Sequence, residues 1–122
     1  MLAIDVGNTH ITVGLFEGSE IQAVFRMPTE TCLKDSAFFE HLPEIREHIS
    51  SDAVISSVRA PVTDIVVREI EAMTGKSPLL VNISTPMGIA IRYETKETLG
   101  IDRLICAAAA YHLYRKEGRA VV

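Results

Sequence analysis

The chain has 122 residues, 48% hydrophobic and 23% charged, with 12 basic against 16 acidic side chains and a net charge of −4. That size fits one compact domain, which buries about two thirds of its unfolded surface and needs neither disulfides nor a structural metal. Seven Gly and five Pro exclude collagen-like and low-complexity chains, the apolar content excludes wholesale disorder, and the acidic balance argues against a nucleic-acid-binding surface.

The first thirty residues read as a β-meander. Leu2, Ala3 and Ile4 run into Asp5; Ile11, Val13 and Leu15 alternate with Thr12, Gly14 and Phe16; Ile21 to Phe25 follow the turn at Glu17, Gly18 and Ser19. Gly7 and Asn8 mark the first turn, since both tolerate positive φ. From Asp35, Phe38, Leu42, Ile45 and Ile49 recur at helical spacing, with Asp35 or Ser36 as N-cap and Pro43 expected to kink or split the helix. Ala53 to Val58 reads as a strand. A helix from Pro61 follows, with Val62, Ile65, Val66, Ile70 and Met73 inward and Gly75 as its C-terminal cap.

Leu79 to Ile83 and Ile89 to Tyr93 read as short strands around Pro86 and Gly88. The last helix is expected from Gly100 to Gly118, with a strand starting at Ala120, Val121 and Val122. Ala107 to Ala110 leave this helix little side-chain bulk, so another element can approach it closely. Cys32 and Cys106 fit neither a disulfide framework nor paired metal-ligand spacing and read as cytosolic thiols. No signal segment opens the chain, and the longest apolar run, Leu104 to Tyr111, is about half of the roughly 20 residues a membrane span needs. A cytoplasmic protein without membrane or nucleic-acid partners is expected.

Two constellations can carry chemistry. In the first, Asp5 ends an apolar strand and is followed by Gly7, Asn8, Thr9 and then Thr12. Such a turn can aim backbone amides at a phosphate while the carboxylate holds magnesium directly or through water. An ordinary hairpin, with Asp5 and Asn8 bonding their own backbone, is the plain alternative. A carboxylate on so apolar a strand costs stability unless something uses it, which favours the site. In the second, Tyr93 precedes Gly100, Ile101, Asp102 and Arg103. Asp102 falls in a first helical turn, where the dipole favours negative charge, as a general base requires. Asp is also simply a favoured first-turn residue. Arg103 opposes the dipole, so an anion is expected to pair with it, either Asp102 or a ligand.

These stretches resemble the type III pantothenate kinases, of the superfamily that includes acetate kinases, sugar kinases and actin. The matching residues are Asp5-Val6-Gly7-Asn8-Thr9 with Ile11 and Gly14, Ile55-Ser56-Ser57-Val58, and Tyr93 ahead of Gly100-Ile101-Asp102-Arg103. His10 stands where the family commonly has Asn. The resemblance implies a ribonuclease H-like, actin-type ATPase domain of α/β class, with helices packed on a mixed sheet that starts as a three-stranded antiparallel meander. It implies that Asp5, Val6, Gly7, Asn8, Thr9, His10, Ile11 and Thr12 bind ATP phosphates, with Asp5 holding magnesium through water. Asp102 is implied as the base toward the pantothenate hydroxyl, and Tyr93, Gly100, Ile101, Asp102 and Arg103 as the pantothenate wall.

By the same resemblance residues 1–122 are one domain, the N-terminal half of a two-domain kinase. The second domain, with further ATP contacts and the K+ or NH4+ site, is absent, so these residues alone are expected to be inactive. A homodimer is implied. The alternatives are a non-catalytic regulatory or dimerisation module of the Bvg accessory factor type, or another kinase of the superfamily. His41 and His48 beside Glu44 and Glu47 read as a solvated helix face, and His112 as packing. Thr74-Gly75-Lys76-Ser77 reads as a helix cap rather than a P-loop.

Overall fold

The computed structural model describes residues 1–48, 52–92, 95 and 99–115. The chain divides into two compact units, Met1–Val81 and Asn82–Val122.

The first unit is built on a five-stranded sheet. Strands β1 (Leu2–Val6), β2 (His10–Glu17) and β3 (Glu20–Pro28) form the expected meander, β4 (Ala53–Ser57) adds parallel to β1, and β5 (Leu79–Leu80) adds parallel to β4. The order across the sheet is β3-β2-β1-β4-β5. Period-two alternation sends Leu2, Ile4, Val6, Ile11, Val13 and Ile55 to one face, where all are buried. Gly18, at φ 59°, makes the β2–β3 turn.

That face is covered by α1 (Thr29–Asp35) and α3 (Ala60–Thr74). In α3 the buried residues are Val62, Ile65, Val66 and Ile70, one stripe at helical spacing. Met73, expected inward, is 39% exposed because the stripe has rotated away by the last turn. Gly75 caps the helix at φ 69°, its amide bonding the Glu71 carbonyl at 2.8 Å.

The stretch after Met27 differs from expectation. A helix begins at Thr29, and Asp35 is its last residue, with Ser36 as a left-handed C-cap at φ 51° rather than an N-cap. Phe38 and Phe39 are buried on non-helical backbone, their rings 4.8 Å apart. Their amides are satisfied by the Glu69 carboxylate of α3, at 3.1 and 3.2 Å from Phe38 and 3.0 Å from Phe39. Pro43 opens the short helix α2 (Pro43–Arg46) instead of splitting a longer one, since a first-turn residue needs no amide hydrogen. His41 therefore lies outside any helix, 3.0 Å from the Asp35 carboxylate. Ile49 lies outside the described residues.

In the second unit, Ile83 and residues 89–92 are not in strands, so the two expected strands reduce to β5. Pro86 and Gly88, the latter at φ 70°, keep this segment irregular. Helix α4 (Ile101–Tyr114) has Gly100 as N-cap and buries Ile101, Leu104 and Ala108. Of the four alanines Ala108 alone is buried. His112 Nε2 donates to the Met87 carbonyl at 2.8 Å, which ties α4 to the Gly88 turn. The expected strand at 120–122 and the helix end at Gly118 lie outside the described residues.

Candidate active site

The β1–β2 turn carries the first candidate constellation. Gly7, Asn8 and Thr9 connect the strands, closed by the Gly7 amide on the His10 carbonyl at 3.0 Å. Neither Gly7 nor Asn8 has positive φ, contrary to expectation. Gly7 lets the turn close tightly: a Cβ there would stand 3.0 Å from the His10 carbonyl oxygen, a contact relieved only by a small shift of the turn. The backbone amides of Asn8 and Thr9 donate to no acceptor among the described residues. Two successive free amides on a turn are what an anion needs.

Asp5 sits on the sheet face opposite the core, in register with Thr12 on β2 and Ser56 on β4. Thr12 pairs in turn with Arg26 on β3, so Arg26, Thr12, Asp5 and Ser56 form one polar row across four strands. Asp5 is exposed. The desolvation argument made from the apolar strand thus fails: alternation puts the carboxylate on the other face, where it costs little. What marks the position is the neighbourhood, on the strand that two residues later enters the turn with the free amides, and beside Ser56, whose buried hydroxyl has no partner among the described residues. Val6 and Ile11 of the same segment are core residues, fully buried, and hold the hairpin to the sheet.

The second constellation lies in the other unit. Gly100, at φ −60° and ψ 133°, turns the chain into α4, and the amides of Arg103 and Leu104 bond its carbonyl at 3.1 and 3.3 Å. Asp102 is in the first turn and exposed, with its carboxylate folded back over Gly100, where a Cβ would collide with it. Ile101 is the buried anchor of this turn. Arg103 is exposed and forms no ion pair among the described residues, so Asp102 is not its partner. Tyr93 lies outside the described residues.

Two residues without a sequence signal matter to the first unit, Thr29 at the β1–β2 turn and Glu69 at the Phe38–Phe39 loop. Thr29 and Glu69 act through backbone groups distant in sequence, and neither sits in a recognisable motif. Ser56 was visible only as part of Ile55-Ser56-Ser57-Val58. Among the described residues no three His, Cys, Asp or Glu side chains converge on a metal.

A meander continued by a parallel strand, with helices on the core face and a glycine hairpin beside an acidic residue, defines an actin-type ATPase domain of ribonuclease H-like topology. The chain matches the family model described as type III pantothenate kinase over residues 1–122, and it belongs to that family. It is 29% identical over 120 residues to the type III pantothenate kinase of Moorella thermoacetica, which covers 93% of this chain and 47% of that protein. The chain thus spans about half the length of the curated relative it matches. No helix among the described residues is long and apolar enough to cross a membrane.

Proposed function

We propose that the protein containing this chain transfers the γ-phosphoryl group of ATP to the hydroxyl of pantothenate, the first step of coenzyme A biosynthesis, in the cytoplasm and as a homodimer. The observation that carries the reading is the β1–β2 turn, with its free Asn8 and Thr9 amides following Asp5 near the end of β1, in a chain of this family.

In this reading the segment from Asp5 to Thr12 receives the ATP phosphates. The Asn8 and Thr9 amides supply fixed positive dipoles, and the Thr12 hydroxyl faces the same side of the sheet as Asp5. The Asp5 carboxylate, exposed and in register with Thr12 and Ser56, would hold a hydrated magnesium ion. Magnesium, when bound, neutralises charge on the phosphates. Asp102 accepts the proton of the attacking hydroxyl, a contribution of roughly 10²- to 10⁴-fold for general base catalysis. Arg103, without an ion-pair partner among the described residues, is suited to the pantothenate carboxylate, and Gly100 leaves room for the Asp102 side chain. Tyr93 completes the pantothenate wall by resemblance. The K+ or NH4+ site and further ATP contacts belong to chain beyond these residues, so residues 1–122 alone have no appreciable kinase activity.

The test is steady-state kinetics on the protein from the complete gene. Asp102→Asn should lower kcat on the order of 10²-fold or more with ATP KM nearly unchanged, whereas Asp5→Asn should weaken use of magnesium-ATP. The same nucleotide-binding defect in both variants, with an intact chemical step, would refute this division of roles.

A further inference from the structure

Thr29 is fully buried, yet its side chain serves no purpose within its own helix. It is the first residue of α1, whose N-cap is Pro28 and which has no side-chain cap. A threonine at a helix start usually bonds a nearby amide of that helix. Here the Thr29 Oγ1 donates instead to the Gly7 carbonyl at 2.9 Å, and the Thr29 amide donates to the Thr9 carbonyl at 3.0 Å. One residue therefore holds two carbonyls of the β1–β2 turn, on either side of Asn8.

The consequence follows from peptide geometry. In a trans peptide plane the C=O and the next N–H point in opposite directions. With the Gly7 carbonyl drawn toward α1, the Asn8 amide of the same peptide plane, which has no acceptor among the described residues, is turned away from it, and the Thr9 carbonyl is fixed beside it. The turn would otherwise be free to rotate these planes, since it contains glycine and is closed, among the described residues, by the bond from the Gly7 amide to the His10 carbonyl.

We propose that Thr29 is a positioning residue for phosphate binding, holding the β1–β2 turn with its amides presented to the nucleotide; this rests on the kinase reading above. Thr29→Val keeps the shape and removes the donor, and Thr29→Ser keeps the donor and removes the methyl group. In the protein from the complete gene, Thr29→Val should raise the KM for magnesium-ATP about tenfold, the change carried by one ordinary hydrogen bond. The KM for pantothenate should stay unchanged, and Thr29→Ser should remain near the parent. A parallel measurement does not depend on the valine variant folding: in the parent protein, magnesium-ATP should shift the backbone amide resonances of Asn8 and Thr9. If the parent binds magnesium-ATP but those resonances do not move, or if Thr29→Val has the parent's KM, or if serine fails to restore it, the positioning role is wrong. Failure of the parent to bind magnesium-ATP would sink the kinase reading and this proposal together.

Discussion

Replacing Gly7 with alanine separates the turn's role in binding from its role in the fold. Gly7 has no positive φ, so alanine is conformationally allowed there, and the obstacle is the 3.0 Å approach of a Cβ to the His10 carbonyl oxygen. That same oxygen accepts the Gly7 amide at 3.0 Å. Relief of the contact must move the two strands' ends apart by a few tenths of an ångström, and so weaken the closing bond. A fully lost bond of this kind costs about 1 kcal/mol. Against it stands the reduced entropy of the unfolded chain, which favours alanine by about 0.4–1 kcal/mol where the conformation is compatible. The two nearly cancel, so Tm should change by less than about 4 °C. The Asn8 and Thr9 amides ride on the displaced turn, and magnesium-ATP affinity should fall several-fold at least. Thermal unfolding and nucleotide titration on the same preparation provide the check. A Gly7→Ala protein that binds magnesium-ATP like the parent would refute the assignment of this turn to phosphate.

Arg103→Lys should raise the KM for pantothenate while barely affecting turnover of pantetheine, which has an amide-linked thiol where pantothenate has its carboxylate, because an ammonium cannot reproduce the planar two-pronged contact. A fall in kcat for both substrates would show that Arg103 acts on Asp102 instead. Glu69→Ala removes the acceptor of the Phe38 and Phe39 amides and should destabilise the fold by about 2–4 kcal/mol, with Glu69→Gln milder, as urea unfolding would measure. Burial, and then the Glu69 charge, push the Cys32 thiol up from 9.0 to about 11. The unfolded chain therefore releases this proton first as pH rises. Stability from Cys32 is fully present below about pH 9 and lost progressively toward pH 11. In the native protein at pH 8, a thiol reagent should react with exposed Cys106 and spare buried Cys32; equal reactivity would contradict the packing of α1.

The meander was legible because strand alternation is local, and each of its strands reads out its buried face two residues at a time. Helix α3 was equally legible from four apolar residues, an early proline and a terminal glycine. Helix α1 was not, since only Thr29 and Cys32 are fully buried along it, with Leu33 packed partly against the core, and these make no extended apolar stripe. The spacing of Phe38, Leu42 and Ile45 imitated a helix because a buried loop also needs apolar side chains. What makes that loop possible is Glu69, about thirty residues away, and no local signal announces it. At the site, the residue types of the Asp5 turn and of Gly100-Ile101-Asp102-Arg103 were readable, together with Asp102's place in a first helical turn. The exposure of Asp5 was not, being masked by its apolar neighbours Leu2, Ala3 and Ile4, although strand alternation puts it on the face opposite Ile4 and Val6. Nor was the tie from Thr29 to Gly7, which depends on the 22-residue separation being closed by the β2–β3 hairpin.

The central claim is that the Asp5 turn and the Asp102 turn belong to an enzyme that phosphorylates pantothenate. Its most direct test is the product itself: the protein from the complete gene, incubated with ATP, magnesium, pantothenate and K+ or NH4+, and followed by mass spectrometry and ³¹P resonance. The account predicts phosphopantothenate and ADP in equal amounts, with the phosphoryl group on the hydroxyl oxygen and formation suppressed by Asp102→Asn. ATP left intact, or hydrolysed with pantothenate recovered unmodified, would contradict it.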